Sequence, residues 1–275
     1  MTPSSISSGS HDQERDPWES TVAALVHVLA DVLGMVAPEA LGRGQHLRDS
    51  IRRFAGTADA GPGWELETAA LLSPIGYASL PPSLLQKLRT ELTSEELAIE
   101  RRVPQIGHDL LIQVPRLDGV ANIVLYQRKN FDGTGFPEDR CAGEGIPIGA
   151  RMLKILIDRL ELEADGIVQQ RAHDAMRARR GHYDPALLEA CFVALPKFLE
   201  SAVSKDHPVL TLPLTGLRPG QVVVADICTH DGVVLVGAGS RLAPMTLQRL
   251  RNYGDLHTVR EPICVQNSVV DPVAA

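Results

Sequence analysis

Nine histidines are spread through the 275 residues, and four of them stand immediately before an aspartate: His11-Asp12, His108-Asp109, His173-Asp174 and His230-Asp231. Imidazole and carboxylate are the ligands that divalent iron or manganese takes when several converge on one pocket. Such a centre lowers the pKa of bound water and makes a hydroxide at neutral pH. Nothing in these four positions forces convergence. His11 lies in a polar tail, His230 sits at the turn signal Asp231-Gly232, and a surface placement accounts for all four. His182 with Asp184 reads as a loop entering a helix cap, because Pro185 suits the first helical turn. A second chemistry is anion binding. Arg128, with Arg43 or Arg48 brought near it by the fold, would hold a phosphate through its planar fork of donors. Structural ion pairs, or plain exposure to water, are the simpler account of the same arginines. Cys141, Cys191, Cys228 and Cys264 form no C-x-x-C pair and read as reduced thiols of a cytosolic protein.

The elements that must position these residues are mostly helical. Residues 1–15 are polar and Ser-rich and are expected to be disordered. Asp16-Pro17-Trp18-Glu19 then reads as a helix start, with Asp16 as cap and Pro17 in the first turn. Val22, Leu25, Val26, Leu29, Val32, Leu33 and Val36 recur at a spacing of three and four, which predicts one buried helical face. His27 lies off that stripe. Further helices are predicted over Pro38–Phe54, Trp64–Leu72, from the capping box Thr93-Ser94-Glu95-Glu96, and over Leu117–Arg128. Residues 129–145 carry five glycines and prolines and must be a loop. Helices resume over Pro147–Leu162, Gly166–Arg179 and Pro185–Leu199.

The pattern changes after Asp206. Val209–Leu214, Val222–Ile227, Val233–Val236 and Val259–Val265 have strand composition, and Pro244–Arg251 is a short helix. Met245, Leu247 and Leu250 read as ordinary core. Residues 207–267 are therefore a small β-rich module, with 268–275 as a tail. The formal net charge of −7 argues against a general nucleic-acid binder. No apolar run is long enough to span a membrane, and the first residues lack the apolar stretch of a signal peptide.

Residues 121–137 read ANIVLYQRKNFDGTGFP, followed by IPIGARMLKIL at 146–156 and GHYDPALLEA at 181–190. Together with ELETAALLSPIGYASLPPSLLQKL at 65–88 and the helix around His46, they resemble the HD-GYP family over roughly residues 20–200. The resemblance implies a mainly α fold: an HD-type helical bundle (17–203) followed by the β-rich module. Members of that family hydrolyse cyclic di-GMP at a bi- or trinuclear metal centre. The module looks like the one that follows the HD-GYP domain in many response-regulator-like proteins, with no receiver domain expected ahead of it here.

Carried over position by position, the family's His-Asp-Ile-Gly-Lys falls on Ser73-Pro74-Ile75-Gly76-Tyr77, and its His-Pro on Val103-Pro104. Its His-His-Glu run falls on Gln127-Arg128-Lys129, and its later aspartate on Ile157, with Asp158 one place off. Its Glu-x-x-x-His falls on Gly42 and His46, so one histidine survives. The resemblance thus implies a vestigial pocket of Gly42, His46, Ser73, Pro74, Tyr77, Val103, Gln127, Arg128 and Ile157, with no catalytic residue, no metal and no cofactor. The GYP motif survives as Gly135-Phe136-Pro137 after Asp132-Gly133-Thr134. In the family this loop is linked to contacts with GGDEF-type cyclases, so Asp132, Gly133, Gly135, Phe136 and Pro137 are the expected partner loop, with Phe136 as an exposed anchor.

The expected function is a non-catalytic, cytoplasmic regulatory or scaffold protein of bacterial signalling. Its expected partner is a GGDEF-type or receiver-containing protein, with a cyclic dinucleotide as a further ligand, no nucleic acid and no membrane. A homodimer through the β module is compatible with the sequence but not compelled by it. The alternatives are a phosphodiesterase of residual or altered activity and a nucleotide sensor without turnover.

Overall fold

A computed structural model describes residues 17–56, 63–85, 87, 91–164, 169–195, 208–232, 234–242, 244–256 and 259–267. The tails, the Asp16 cap and the stretch 196–207 between the helical and β-rich parts lie outside these residues. Helix α1 (Pro17–Val36) is separated from α2 (Pro38–Ala55) by Ala37 alone. Pro38 causes this corner. A proline disfavours the helical conformation in the residue before it, and Ala37 sits at φ −138°, ψ 73°. The chain then runs through α3 (Gly63–Leu72), a 3-10 turn (Ile75–Ser79) and the single turn α4 (Pro82–Leu85). Helix α5 (Ser94–Arg101) opens with the expected capping box: Glu96 N–H donates to Thr93 Oγ1 at 3.3 Å, and Thr93 N–H donates to the Glu96 carboxylate at 2.9 Å.

Helices α6 (Val103–Leu111), α7 (Asp118–Tyr126), α8 (Ile148–Ala164), α9 (Gln169–Ala178) and α10 (Pro185–Ala194) complete the bundle. Helix α6 was not among the expected helices. Pro104 in fact occupies the first turn of α6, where its missing N–H is harmless. Helix α10 ends at Ala194, two residues before Pro196, and the rest of the helix expected to Leu199 lies outside the described residues. Helix α8 runs through the centre, with Met152, Leu153, Ile155 and Leu156 fully buried.

The α1 stripe splits in two. Val22, Val26 and Leu33 are buried and Leu29 packs against the core, but Val32 is 39% and Val36 46% exposed. The expectation of one buried face was too wide, since two adjacent stripes share the same spacing.

The C-terminal part has a core of its own, built on Val223, Ile227, Leu235, Leu247, Leu250 and Val265. Strands β1 (Leu210–Leu212) and β2 (Val222–Val223) flank β5 (Ile263–Gln266) antiparallel, with Leu210 opposite Val265 and Val222 opposite Gln266. Strands β3 (Ile227–Cys228) and β4 (Val234–Val236) form a separate pair, and α11 (Pro244–Leu256) packs on the module. The expected single strand Val222–Ile227 is thus two strands in two sheets. Asp226 makes the crossing, its carboxylate accepting from Ala238 N–H at 2.7 Å. The module is docked on α1 and α2: Arg249 donates to Gly34 O at 2.6 Å, and Gln45 exchanges two hydrogen bonds with the Arg241 backbone at 2.8 and 3.3 Å.

Glycine permits the closest crossing in the bundle. A Cβ on Gly44 of α2 would lie 2.3 Å from Leu71 O of α3, and one on Gly76 would lie 2.2 Å from Val103 O. We therefore expect Gly44→Ala to lower the unfolding free energy by about 1–3 kcal/mol through overpacking. Gly63→Ala should leave it unchanged or slightly raised, because nothing lies within 4 Å of that site and alanine is the better helix former. Urea unfolding of the two variants checks both directions.

Candidate functional site

The end of α7 directs three consecutive side chains to three places. Gln127, buried, donates to Ser73 O at 2.9 Å and so ties α7 to the end of α3. Arg128 bridges to α8, at 2.7 Å from Glu161 and 3.7 Å from Asp158. Lys129 is 2% exposed and turns into the following loop, where it donates to Pro137 O and Asp139 O and pairs with the Asp139 carboxylate at 3.0 Å.

Asp158 is the hub of the polar cluster. It is 5% exposed. Lys154, one turn earlier on α8, sits 2.8 Å from one of its oxygens, and Tyr183 O–H donates to the same oxygen at 2.8 Å. Arg179 donates to Tyr183 Oη at 3.2 Å and stands 3.8 Å from Asp158. Burial alone would push the Asp158 carboxyl up, but Lys154 and Arg128 outweigh it and hold the pKa below the ordinary aspartate value. Burial likewise opposes charge on Arg128, yet Glu161, Tyr77 and Asp158 more than offset it and its pKa is raised. Tyr183 is pushed up by burial and by the neighbouring Asp158.

Tyr77 joins the cluster from the other side. Its hydroxyl donates to Glu100 at 3.1 Å, and the Arg43 guanidinium lies 5.2 Å over its ring. Burial and Glu100 raise the Tyr77 pKa, while Arg128 and Arg43 act against them. Gln127 thus reaches Ser73, Tyr77 packs against the small cluster of Leu80, Leu84 and Val103, and Arg128 acts on Tyr77 through its charge. Gly42 is not among them. It faces the C-terminal module, where a Cβ would lie 2.5 Å from Ser240 Oγ. Ile157 packs in the hydrophobic core. One residue along a helix turns the side chain by about 100°, so Asp158, not Ile157, reaches the cluster. His46 is buried at 8% exposure and feels Asp49, Arg53 and Arg159.

Arg48 does not join Arg128; its charge neighbours are Asp49, Arg52 and Arg241. The His-Asp pairs stay apart. His108 contacts its own Asp109 at 3.0 Å, His173 stacks on Phe192 at 4.2 Å, and His230 is exposed, while His11 lies outside the described residues. Asp184 caps α10, accepting from Ala186 and Leu187 N–H at 3.0 and 3.2 Å, and holds Arg151 at 2.7 Å. Among the described residues no group of three or more His, Cys, Asp or Glu side chains is arranged to hold a metal ion. The residues present do not fit a dinuclear centre: the acids near Arg128 are already engaged by cations, and Ser73, Val103 and Gln127 are not ligands such metals take.

The loop after α7 is tightly held. Phe131 N–H and Asp132 N–H donate to His182 O and Gly181 O at 3.0 and 2.8 Å. The Asp132 carboxylate accepts from Thr134 N–H and O–H at 2.9 and 2.7 Å. Gly133 and Gly135 take φ of 88° and 86°, which a side chain would strain. Tyr126 O–H donates to Asp139 at 2.6 Å, and this bond raises the tyrosine pKa to about 12. Phe136 is half-buried rather than fully exposed.

Residues 27–187 match the family model of the HD domain. That is more than half of the chain, and the protein belongs to this family. Over 139 residues it is 34% identical to the cyclic di-GMP phosphodiesterase response regulator RpfG of Xanthomonas campestris pv. campestris (strain 8004), a match covering 46% of this chain and 35% of RpfG. The chain thus spans about a third of that relative's length. Among solved structures, it is similar to a cyclic GMP-AMP-specific phosphodiesterase of V. cholerae, at 21% identity and a TM-score of 0.47 over 67% of this chain and 51% of the other. It is also similar to the HD domain of the L. monocytogenes phosphodiesterase PgpH, at 13% identity and a TM-score of 0.48 over 65% of this chain and 100% of the other. No helix of the described residues is long and apolar enough to cross a membrane.

Burial drives the His46 pKa from 6.5 down to about 4, with Arg53 and Arg159 adding to the fall and Asp49 opposing it. The folded protein therefore keeps His46 neutral where the unfolded chain protonates it. Stability attached to this residue is intact above pH 6.5 and is lost as pH falls toward 4. The loss should reach about 3 kcal/mol. We expect His46→Leu to flatten the pH dependence of the urea midpoint in that window relative to the parent.

Proposed function

We propose that this chain is a non-catalytic, HD-GYP-like regulatory or scaffold protein of bacterial, cyclic di-GMP-related signalling, acting in the cytoplasm by protein contact. One observation carries the reading: Asp158 is held by Arg128 and Lys154. Two cations built into the chain already satisfy the buried acid nearest the positions where the family resemblance puts metal. A divalent ion would have to displace them and then find its remaining ligands among Ser73, Val103 and Gln127. Fixed guanidinium charge also repels any incoming cation. Purified full-length protein is expected to hold substoichiometric iron, manganese and zinc by elemental analysis and to leave cyclic di-GMP intact. Stoichiometric metal together with turnover overturns the reading.

Protein contact is assigned to the loop of Asp132, Gly133, Gly135, Phe136 and Pro137, with a GGDEF-type or receiver-containing protein as partner. Its support is preorganisation. Lys129, Asp139, Asp132 and the backbone bonds to Gly181 and His182 hold the loop in one shape before any partner arrives, which reduces the ordering cost of binding. Phe136→Ala is expected to weaken capture of such a partner about tenfold or more, with an unchanged melting temperature. Equal binding by parent and variant removes the loop from the proposal.

A nucleotide sensor without turnover is the second reading. The cluster has three cations, Arg128, Lys154 and Arg179, against the two acids Asp158 and Glu161, and Arg43 lies over Tyr77 beside it. That surplus favours a phosphodiester anion. The same purified protein decides between the two readings in a cyclic di-GMP titration.

A further inference from the structure

The seam between α2 and the C-terminal module is short of negative charge. Gly42, Gln45, Arg48 and Arg52 follow one another on α2 at intervals of three, three and four, and so share one side of the helix. The module covers the first part of that side. Ser240 lies against Gly42, and Gln45 clamps both backbone polar groups of Arg241 at 2.8 and 3.3 Å. Arg241 is thereby fixed beside the turn of α2 that carries Arg48, and the two guanidiniums act on each other through their charge.

The acceptors nearby do not meet this demand. The Arg48 side chain is 22% exposed, and its Nε is buried without a hydrogen bond among the described residues. Asp49 Oδ1 stands 3.8 Å from that nitrogen, beyond hydrogen-bonding distance. Glu67 is engaged by Arg52 at 2.6 Å. Arg48, Arg52 and Arg241 are therefore three cations against the two acids Asp49 and Glu67, although the chain as a whole has a formal net charge of −7. The Ser240 hydroxyl, in a residue 4% exposed, also makes no hydrogen bond among the described residues. A buried donor left unsatisfied is costly, and a second cation held beside it adds repulsion.

We propose that this seam is a binding site for a phosphate-type oxyanion, held between the Arg48 and Arg241 guanidiniums, and that the anion locks the module onto α2. A carboxylate serves one guanidinium, as Glu67 serves Arg52. A tetrahedral oxyanion has oxygens pointing in enough directions to accept from two planar forks at once. Arg48 belongs to the bundle and Arg241 to the module, so the anion bridges the two units and turns their repulsion into attraction. The other docking bonds, Arg249 to Gly34 and Gln45 to Arg241, are polar, and polar seams between units open and close. The site uses no residue of the Asp158 cluster or of the Asp132–Pro137 loop and stands apart from the functional reading above.

The Arg241 amide donates to Gln45 across the seam, so its hydrogen exchange reports docking. The full chain is titrated with inorganic phosphate, against potassium chloride at matched ionic strength. With millimolar affinity, about 10 mM phosphate is expected to slow that exchange about tenfold. Arg48→Gln and Arg241→Gln are each expected to abolish the slowing. Arg241→Gln leaves both backbone bonds to Gln45 in place, and so decides the matter should Arg48→Gln disturb α2. Arg43→Gln is the control, because Arg43 lies over Tyr77 and away from the seam, and it should respond like the parent. Guanosine monophosphate in a parallel titration separates two sources of the anion. Slowing at lower concentrations than phosphate assigns it to a nucleotide and equal slowing to free phosphate, and either result supports the site. Equal exchange in phosphate and chloride overturns the proposal, as does slowing that survives both seam variants or that is lost with Arg43→Gln alone.

Discussion

A carboxylate almost fully removed from water has to be compensated by groups that cannot move away, and Asp158 imposes that requirement on the centre of the helical domain. Its partners come from three places: Lys154 from its own helix, Arg128 from the end of α7, and Tyr183 with Arg179 from the segment between α9 and α10. Taking one partner from a buried pair costs about 3–5 kcal/mol, because an uncompensated charge stays behind. The cluster therefore fixes the relative placement of α7, α8 and α10 more sharply than apolar packing, which tolerates sliding. The cations keep Asp158 ionised, while burial and the Asp158 charge keep Tyr183 protonated, so these two groups hold their charge states where histidines titrate.

What α7 does at its end follows from this anchoring. Once Arg128 is committed to α8, the residues on either side must point elsewhere. Gln127 takes the carbonyl of Ser73, left without a helical partner at the end of α3, and Lys129 takes the carbonyls of the loop. The Lys129 ammonium has three hydrogens and finds three acceptors: two backbone oxygens and the Asp139 carboxylate. A lysine with no exposed side-chain surface is tolerable only with such saturation. The shape of the Asp132–Pro137 loop is thus set from the helical side, and the polar cluster and the loop are parts of one hydrogen-bonded construction.

Much of this was legible in the residue order. The capping box at Thr93, the cap at Asp184, the glycine-rich loop and the change to β structure after Asp206 each depend on local chemistry, and local chemistry is what a sequence displays. Most of the departures involve distant partners. Val32 and Val36 have the spacing of core residues, but spacing alone cannot say which of two adjacent stripes meets the bundle. The run Val222–Ile227 has the composition of one strand, yet Asp226 turns it into another sheet through a bond to Ala238. Phe136 has the character of an exposed anchor, but the fold leaves it half-buried. The cluster itself was half visible. Arg128 stood out as an arginine in an odd place, but its partner Asp158 lay one position from where the family pattern directs attention.

Under the proposed reading, Gly42 joins the loss of a ligand to the gain of a contact. The family resemblance puts an acid here, and the structure puts the C-terminal module here. An acid at this position would force Ser240 to shift, because even the first side-chain atom would approach its Oγ to 2.5 Å. Three residues on, Gln45 pairs with both backbone polar groups of Arg241 and fixes the module against α2. Arg249 adds a bond to the carbonyl of Gly34 near the end of α1. On that reading, a helix face that the family resemblance assigns to a metal is spent in this chain on holding the module. Under the proposed reading, the exchange favours rigidity over chemistry: the acid's desolvation cost disappears, the module docks closely, and the helical domain presents one fixed surface to whatever it binds.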